Sequence, residues 1–118
     1  MSTLKTNTIK NTDDVEMYLA KAWVNFNGTG TVAIRAAGNV SSITDNGTGD
    51  YTVNFATAMP DASYAVTSMP DDKSGSYWRN VGIRSDAGNT PTNTSFKIKT
   101  DGTIGAFDIE RIQLVIFR

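Results

Sequence analysis

The chain has 118 residues, 39% apolar and 19% charged, with a formal net charge of −1; that length suits one domain with a core of its own. It contains no cysteine and no histidine, which excludes disulfides, thiolate nucleophiles, zinc ribbons and the Ser-His and Cys-His pairs of neutral-pH catalysis. The lack of a basic run argues against nucleic acid as a partner, because phosphate contacts need clustered Lys and Arg.

Residues 1–19 read as an N-terminal attachment arm, partly extended, with little core of its own. A Thr/Lys alternation surrounds Leu4 and Ile9, and Asp13, Asp14 and Glu16 form an acidic patch. Asn11-Thr12-Asp13 is placed to cap a short helical turn running through Val15 and Tyr18. Leu4, Ile9, Val15 and Tyr18 are then the side chains expected to dock. The first ten residues are too polar for a signal peptide, and no apolar run approaches a membrane span. Synthesis in a cytoplasm without membrane insertion is the expectation.

From residue 20 strand signals recur every 8–15 residues or so, the rhythm of a sandwich or barrel. Ala22, Val24 and Phe26 alternate with polar or outward positions, and Val32, Ile34 and Ala36 do the same after Asn27-Gly28-Thr29-Gly30, so a hairpin joins the two runs. A short strand is expected over residues 40–43. Tyr51, Val53 and Phe55 alternate with Thr52, Asn54 and Ala56, giving one apolar and one polar face. The turn before them, Asp45-Asn46-Gly47-Thr48-Gly49-Asp50, supplies glycines for positive φ and Asx side chains. Met59-Pro60-Asp61 stops the ladder, since proline donates no N–H.

A strand over residues 64–69 follows, then a polar loop from Asp71 and a strand over residues 77–85 with Val81 and Ile83 on one face. Phe96 and Ile98 alternate with Lys97 and Lys99, which marks a half-exposed or edge strand. Ile112, Leu114 and Ile116 form the inward face of the last. The fold class is all-β: an antiparallel β-sandwich of about seven to eight strands, jelly-roll or Ig-like, over residues 20–118.

No constellation carries a catalytic, metal or cofactor function. The aspartates at positions 45, 50, 61, 71, 72, 86, 101 and 108 fall mostly in turns, which their side-chain chemistry explains. A paired-carboxylate glycosidase needs two acids across a cleft. Residues 45–50 lack the ligand order of an EF-hand, and neither Gly-Thr-Gly is followed by the Lys-Ser/Thr and helix of a phosphate loop. Aromatic side chains remain. Ser76-Tyr77-Trp78-Arg79-Asn80 mixes rings with donors, so Tyr77, Trp78 and Arg79 are the candidate receptor or subunit surface.

Three passages resemble small β-domains in virion proteins of tailed bacteriophages, especially marine and cyanobacterial ones. They are Lys21-Ala22-Trp23-Val24-Asn25-Phe26-Asn27-Gly28-Thr29-Gly30, then Ile43-Thr44-Asp45-Asn46-Gly47-Thr48-Gly49-Asp50-Tyr51-Thr52-Val53-Asn54-Phe55, then Met59-Pro60-Asp61-Ala62-Ser63-Tyr64. Ser2-Thr3-Leu4-Lys5-Thr6-Asn7-Thr8-Ile9 resembles the start of such proteins. The resemblance implies a non-enzymatic virion structural protein, a homotrimer by the habit of phage fibres. It would dock to capsid or tail proteins and, as a fibre, meet a host-surface glycan. The chain lacks the repetitive shaft of a long fibre, which leaves a short fibre, a tip or a capsid decoration. A free-standing carbohydrate-binding module is the alternative.

Overall fold

The structure, a computed structural model, describes Thr3, residues 5–71 and residues 78–118. Among these residues there is no helix. The described residues form eleven strands in three antiparallel sheets. The first sheet is the arm's: β1 (Ile9–Lys10) pairs with β2 (Glu16–Met17). A helical turn was expected here; the chain makes a hairpin instead. Asn11 Oδ1 accepts from the N–H of Asp13 at 2.9 Å and of Val15 at 3.0 Å. Asp14 then takes φ +65° and reverses the chain. The capping chemistry read from Asn11 is present, but Asx side chains close turns as readily as they cap helices, and Asp tolerates the left-handed region.

The body is a sandwich of two sheets. The strands β3 (Ala20–Asn27), β4 (Ala33–Gly38), β7 (Ala65–Asp71) and β11 (Arg111–Phe117) form the first, in the order β4-β3-β11-β7. The second contains β5 (Val40–Gly47), β6 (Asp50–Phe55), β8 (Arg79–Arg84) and β9 (Ser95–Gly102), with the short β10 (Gly105–Ala106). Its order is β5-β6-β9-β8, and β10 continues the β6 side of β9. Both faces that meet are built by the period of two. Ala22, Val24, Phe26, Ile112, Leu114 and Ile116 face Tyr51, Val53, Phe55, Phe96 and Ile98, all buried. Phe55, Tyr64 and Phe96 pack at one end of this core, with ring centroids 5.4–5.7 Å apart, and Phe26 meets Tyr51 edge-on at 5.5 Å toward the other.

Asn39 carries the chain from one sheet to the other. Its φ is +54°, its Oδ1 accepts from the Thr57 N–H at 2.7 Å, and its Nδ2 donates to the carbonyls of Lys21 and Thr57. Two expectations need correction. β5 is eight residues long where a four-residue strand was expected, because two bulges let it bend along β6 as far as Gly47. β9 is half-exposed, as one of its two readings had it, but it is not the edge strand of the other: it pairs with β6 on one side and β8 on the other. Lys97 and Lys99 project from its solvent face, and alternation reports which face is wet, not whether an edge is free.

Candidate functional site

The arm hairpin is locked by its own turn and gives nothing to the core. Asn11 N–H donates to Val15 O at 2.9 Å, and Lys10 Nζ pairs with Asp14 Oδ1 at 3.0 Å in the open. An exposed pair of this kind adds little stability, so the Asn11 turn sets the shape. The apolar side chains of Ile9, Val15, Met17, Tyr18 and Leu19 are all exposed, Tyr18 to 77%. None belongs to the core cluster. Of the four expected docking residues, Ile9, Val15 and Tyr18 therefore lie together on one small element; Leu4 lies outside the described residues.

Between the arm and the end of the first sheet runs a groove of ≈ 580 Å³. Ile9, Tyr18 and Leu19 line its arm side, and Lys21, Ala65 and Phe117 its sheet side. Arg118 sits at its margin, held by Asp61 through two parallel hydrogen bonds of 2.8 and 2.7 Å. The Arg118 guanidinium, helped by the Ser63 N–H, holds the Asp61 carboxyl down to about 2. A bidentate fork is the strong geometry for this pair, and it fixes the C-terminal residue beside the groove.

The second expected surface is at the opposite end of the sandwich, since β7 runs from Ala65 beside the groove to Asp71 at the far end. Trp78 is 88% exposed there, and the Arg79 guanidinium lies 4.2 Å from the Phe107 ring centroid. Tyr77 lies outside the described residues. Ile104 and Phe107, which the sequence reading passed over, join Trp78 as exposed apolar side chains at this end. Their signal was present: Ile104-Gly105-Ala106-Phe107 is an apolar string where a polar turn is the rule. The chain matches no protein-family model, no curated protein and no solved structure.

Among the described residues, no three His, Cys, Asp or Glu side chains are grouped to hold a metal ion, and no helix is long and apolar enough to cross a membrane. The buried Tyr51 hydroxyl lies 2.6 Å from Asp108 Oδ1 and 2.7 Å from Gly28 O. Its phenol is pushed well above the ordinary tyrosine range, first by burial and then by the adjacent Asp108 charge. A phenol held neutral in this way is a structural donor, not a base.

Proposed function

We propose that the chain is a non-enzymatic structural appendage of a tailed-phage particle, docked through residues 1–19 while the sandwich projects. One observation carries the reading: five apolar side chains stand exposed on a hairpin that is pre-shaped by Asn11 and contributes nothing to the core. Exposed apolar groups clustered on an ordered element mark an interaction site, and a preformed shape lowers the ordering cost of binding. The resemblance of the flanking sequence to phage virion modules supplies the kind of partner, a capsid or tail protein, and the virion as its place. It also supplies self-association as a trimer. A tail fibre or tip would meet the host surface, and a decoration would coat the head.

The test is deletion of residues 2–18. The shortened chain should fold and be missing from purified particles; normal incorporation would overturn the proposal. Trp78 favours a second reading, a carbohydrate-binding module, because an 88% exposed indole offers an open face. Binding on a glycan array that is lost in Trp78→Ala would support it.

A further inference from the structure

The chain contains two Asn-Gly steps with the same residue after them, Asn27-Gly28-Thr29 and Asn46-Gly47-Thr48. The fold treats them in opposite ways. An Asn side-chain amide is open to attack by the backbone nitrogen of the residue that follows it. Glycine there resists least, because it carries no Cβ. The attack needs that nitrogen to reach the amide carbon, so local structure decides which step reacts.

Gly28 is locked. Its N–H donates to Ile109 O at 2.9 Å, and a Cβ on it would meet Tyr51 Oη at 2.7 Å and Ile109 O at 2.8 Å. Asn27 Oδ1 is occupied as well, accepting from the Thr29 N–H at 2.9 Å and the Thr29 hydroxyl at 2.7 Å. Moving this peptide means breaking contacts at the edge of the core.

Asn46-Gly47 is open. Both residues are exposed, and nothing lies within 4 Å of a Cβ built on Gly47. The ladder pairs Asp45 with Tyr51 and Gly47 with Asp50, so Asn46 is the extra residue of a bulge. The Gly47 N–H donates to Asp45 Oδ1 at 3.0 Å. A carboxylate oxygen therefore already sits on the proton that the attacking nitrogen must lose. Asn46 Nδ2 donates to Thr52 Oγ1 at 2.8 Å and to Asp50 Oδ1 at 3.4 Å, and no described residue donates to its Oδ1. Those two exposed contacts are all that restrains the amide.

We propose that Asn46 is a site of spontaneous deamidation with Asp45 as its base, and that the fold protects Asn27 from the same reaction. Asp45 takes the Gly47 amide proton as Gly47 N bonds to Asn46 Cγ. The Cγ–Nδ2 bond then breaks, and Asp45 returns the proton to the leaving nitrogen, which departs as ammonia. Solvent water opens the resulting succinimide ring at either carbonyl. Breaking the new bond at Cγ gives aspartate; breaking the original peptide bond gives isoaspartate, with the chain running through the side chain. The product has no N–H to offer Thr52, and it adds a carboxylate beside Asp45 and Asp50. The tip of the β5–β6 hairpin becomes more negative and less tightly held. This inference stands apart from the proposed particle role.

The test is peptide mass spectrometry of the folded full chain after incubation at mildly alkaline pH, with enzymatic methylation to detect isoaspartate. Asn46 should convert more than about tenfold faster than Asn27, which must await local opening. The two rates should converge when the chain is unfolded in urea. Asp45→Asn keeps an oxygen for the Gly47 N–H but cannot take its proton, so conversion at Asn46 should slow severalfold. Equal conversion at both steps in the folded chain overturns the proposal, as does an Asn46 that stays intact while the urea-unfolded chain converts. Unchanged conversion in Asp45→Asn overturns the role of Asp45 alone.

Discussion

Tyr51 Oη lies 2.6 Å from Asp108 Oδ1 across 57 residues of sequence, and the same carboxylate oxygen accepts from the Gly49 N–H at 2.8 Å. Tyr51 Oη is also 2.7 Å from Gly28 O. This knot ties the ends of β3 and β6 to the segment entering β11, where Gly28 N–H donates to Ile109 O. Tyr51→Phe keeps the ring against Phe26 and removes only the hydroxyl. It should cost about 1–3 kcal/mol, because Asp108 is left with one fewer donor in a half-buried site. Urea unfolding of the variant measures it; an unchanged midpoint would show that water replaces the hydroxyl without loss.

Gly49 belongs to the same knot for a steric reason. Its φ is +65°, and a Cβ there would run into Thr100 O and lie 3.0 Å from Phe107 N. Both neighbours are backbone, so neither can swing aside. Gly49→Ala should destabilise by about 2–4 kcal/mol. Gly30→Ala is the control, since Gly30 shares the positive φ but has open space around it. Its loss should be only about 1 kcal/mol. Thermal unfolding of the two variants side by side separates strain from collision.

Much of this end of the fold was readable from the residues, and the knot itself was not. Tyr51, Val53 and Phe55 were legible as core because burial follows the period of two, and each is buried. Asp108 looked like one more turn aspartate, since nothing local distinguishes an Asx turn from a carboxylate whose partner is 57 residues away. The outward direction of Trp23 followed from alternation, but its resting place on Gly38 depends on how β4 pairs with β3. The arm was legible as a segment without a core, and its shape was not. Asn11 has the same local chemistry in a helix cap and in a hairpin turn.

Alkaline pH should unfold the protein through its buried phenols. Burial pushes the Tyr64 hydroxyl from 10.0 up to about 12, and Tyr51 is raised further. Between those values the unfolded chain releases a proton that the folded chain keeps. Stability is therefore complete below about pH 10 and is lost as pH rises toward 12 and beyond. Tyr64→Phe should flatten the first part of that decline. Denaturant midpoints at successive pH values, with tyrosinate absorbance, follow it.

Acid acts on the opposite sign of shift. Asp61 and Asp86 are each held at about 2 by a guanidinium, Arg118 and Arg84 respectively, against an ordinary value of 3.8. Their contribution is present above about pH 4 and disappears as pH falls through 2. Both carboxylates are exposed, so the effect on global stability should be small. The local effect at the C-terminus should be larger: protonating Asp61 frees Arg118 from the groove margin. Asp61→Asn should reproduce that release at neutral pH, visible as faster amide exchange at the end of β11 with little change in the unfolding midpoint.

The arm should come apart without the body noticing. Asn11 Oδ1 makes the two side-chain hydrogen bonds that close the β1–β2 turn, and no residue of that hairpin is part of the core cluster. Asn11→Ala removes both bonds and should open the hairpin, since a two-stranded ribbon of this length has little stability beyond its turn. Amide exchange of Asp13 and Val15 should quicken severalfold, while the global midpoint stays within about 0.5 kcal/mol of the wild type. If docking needs the preformed turn, particle incorporation should fall in this variant although every exposed apolar side chain of the arm is retained. Asp14→Gly tests the same turn from the other side. It removes the Asp14 side chain, gives up only an exposed ion pair, and relieves the +65° φ. The hairpin should then gain up to about 1 kcal/mol, slowing exchange at Val15. Weaker incorporation in Asn11→Ala together with normal or stronger incorporation in Asp14→Gly would tie docking to the shape of the arm and not to its charge.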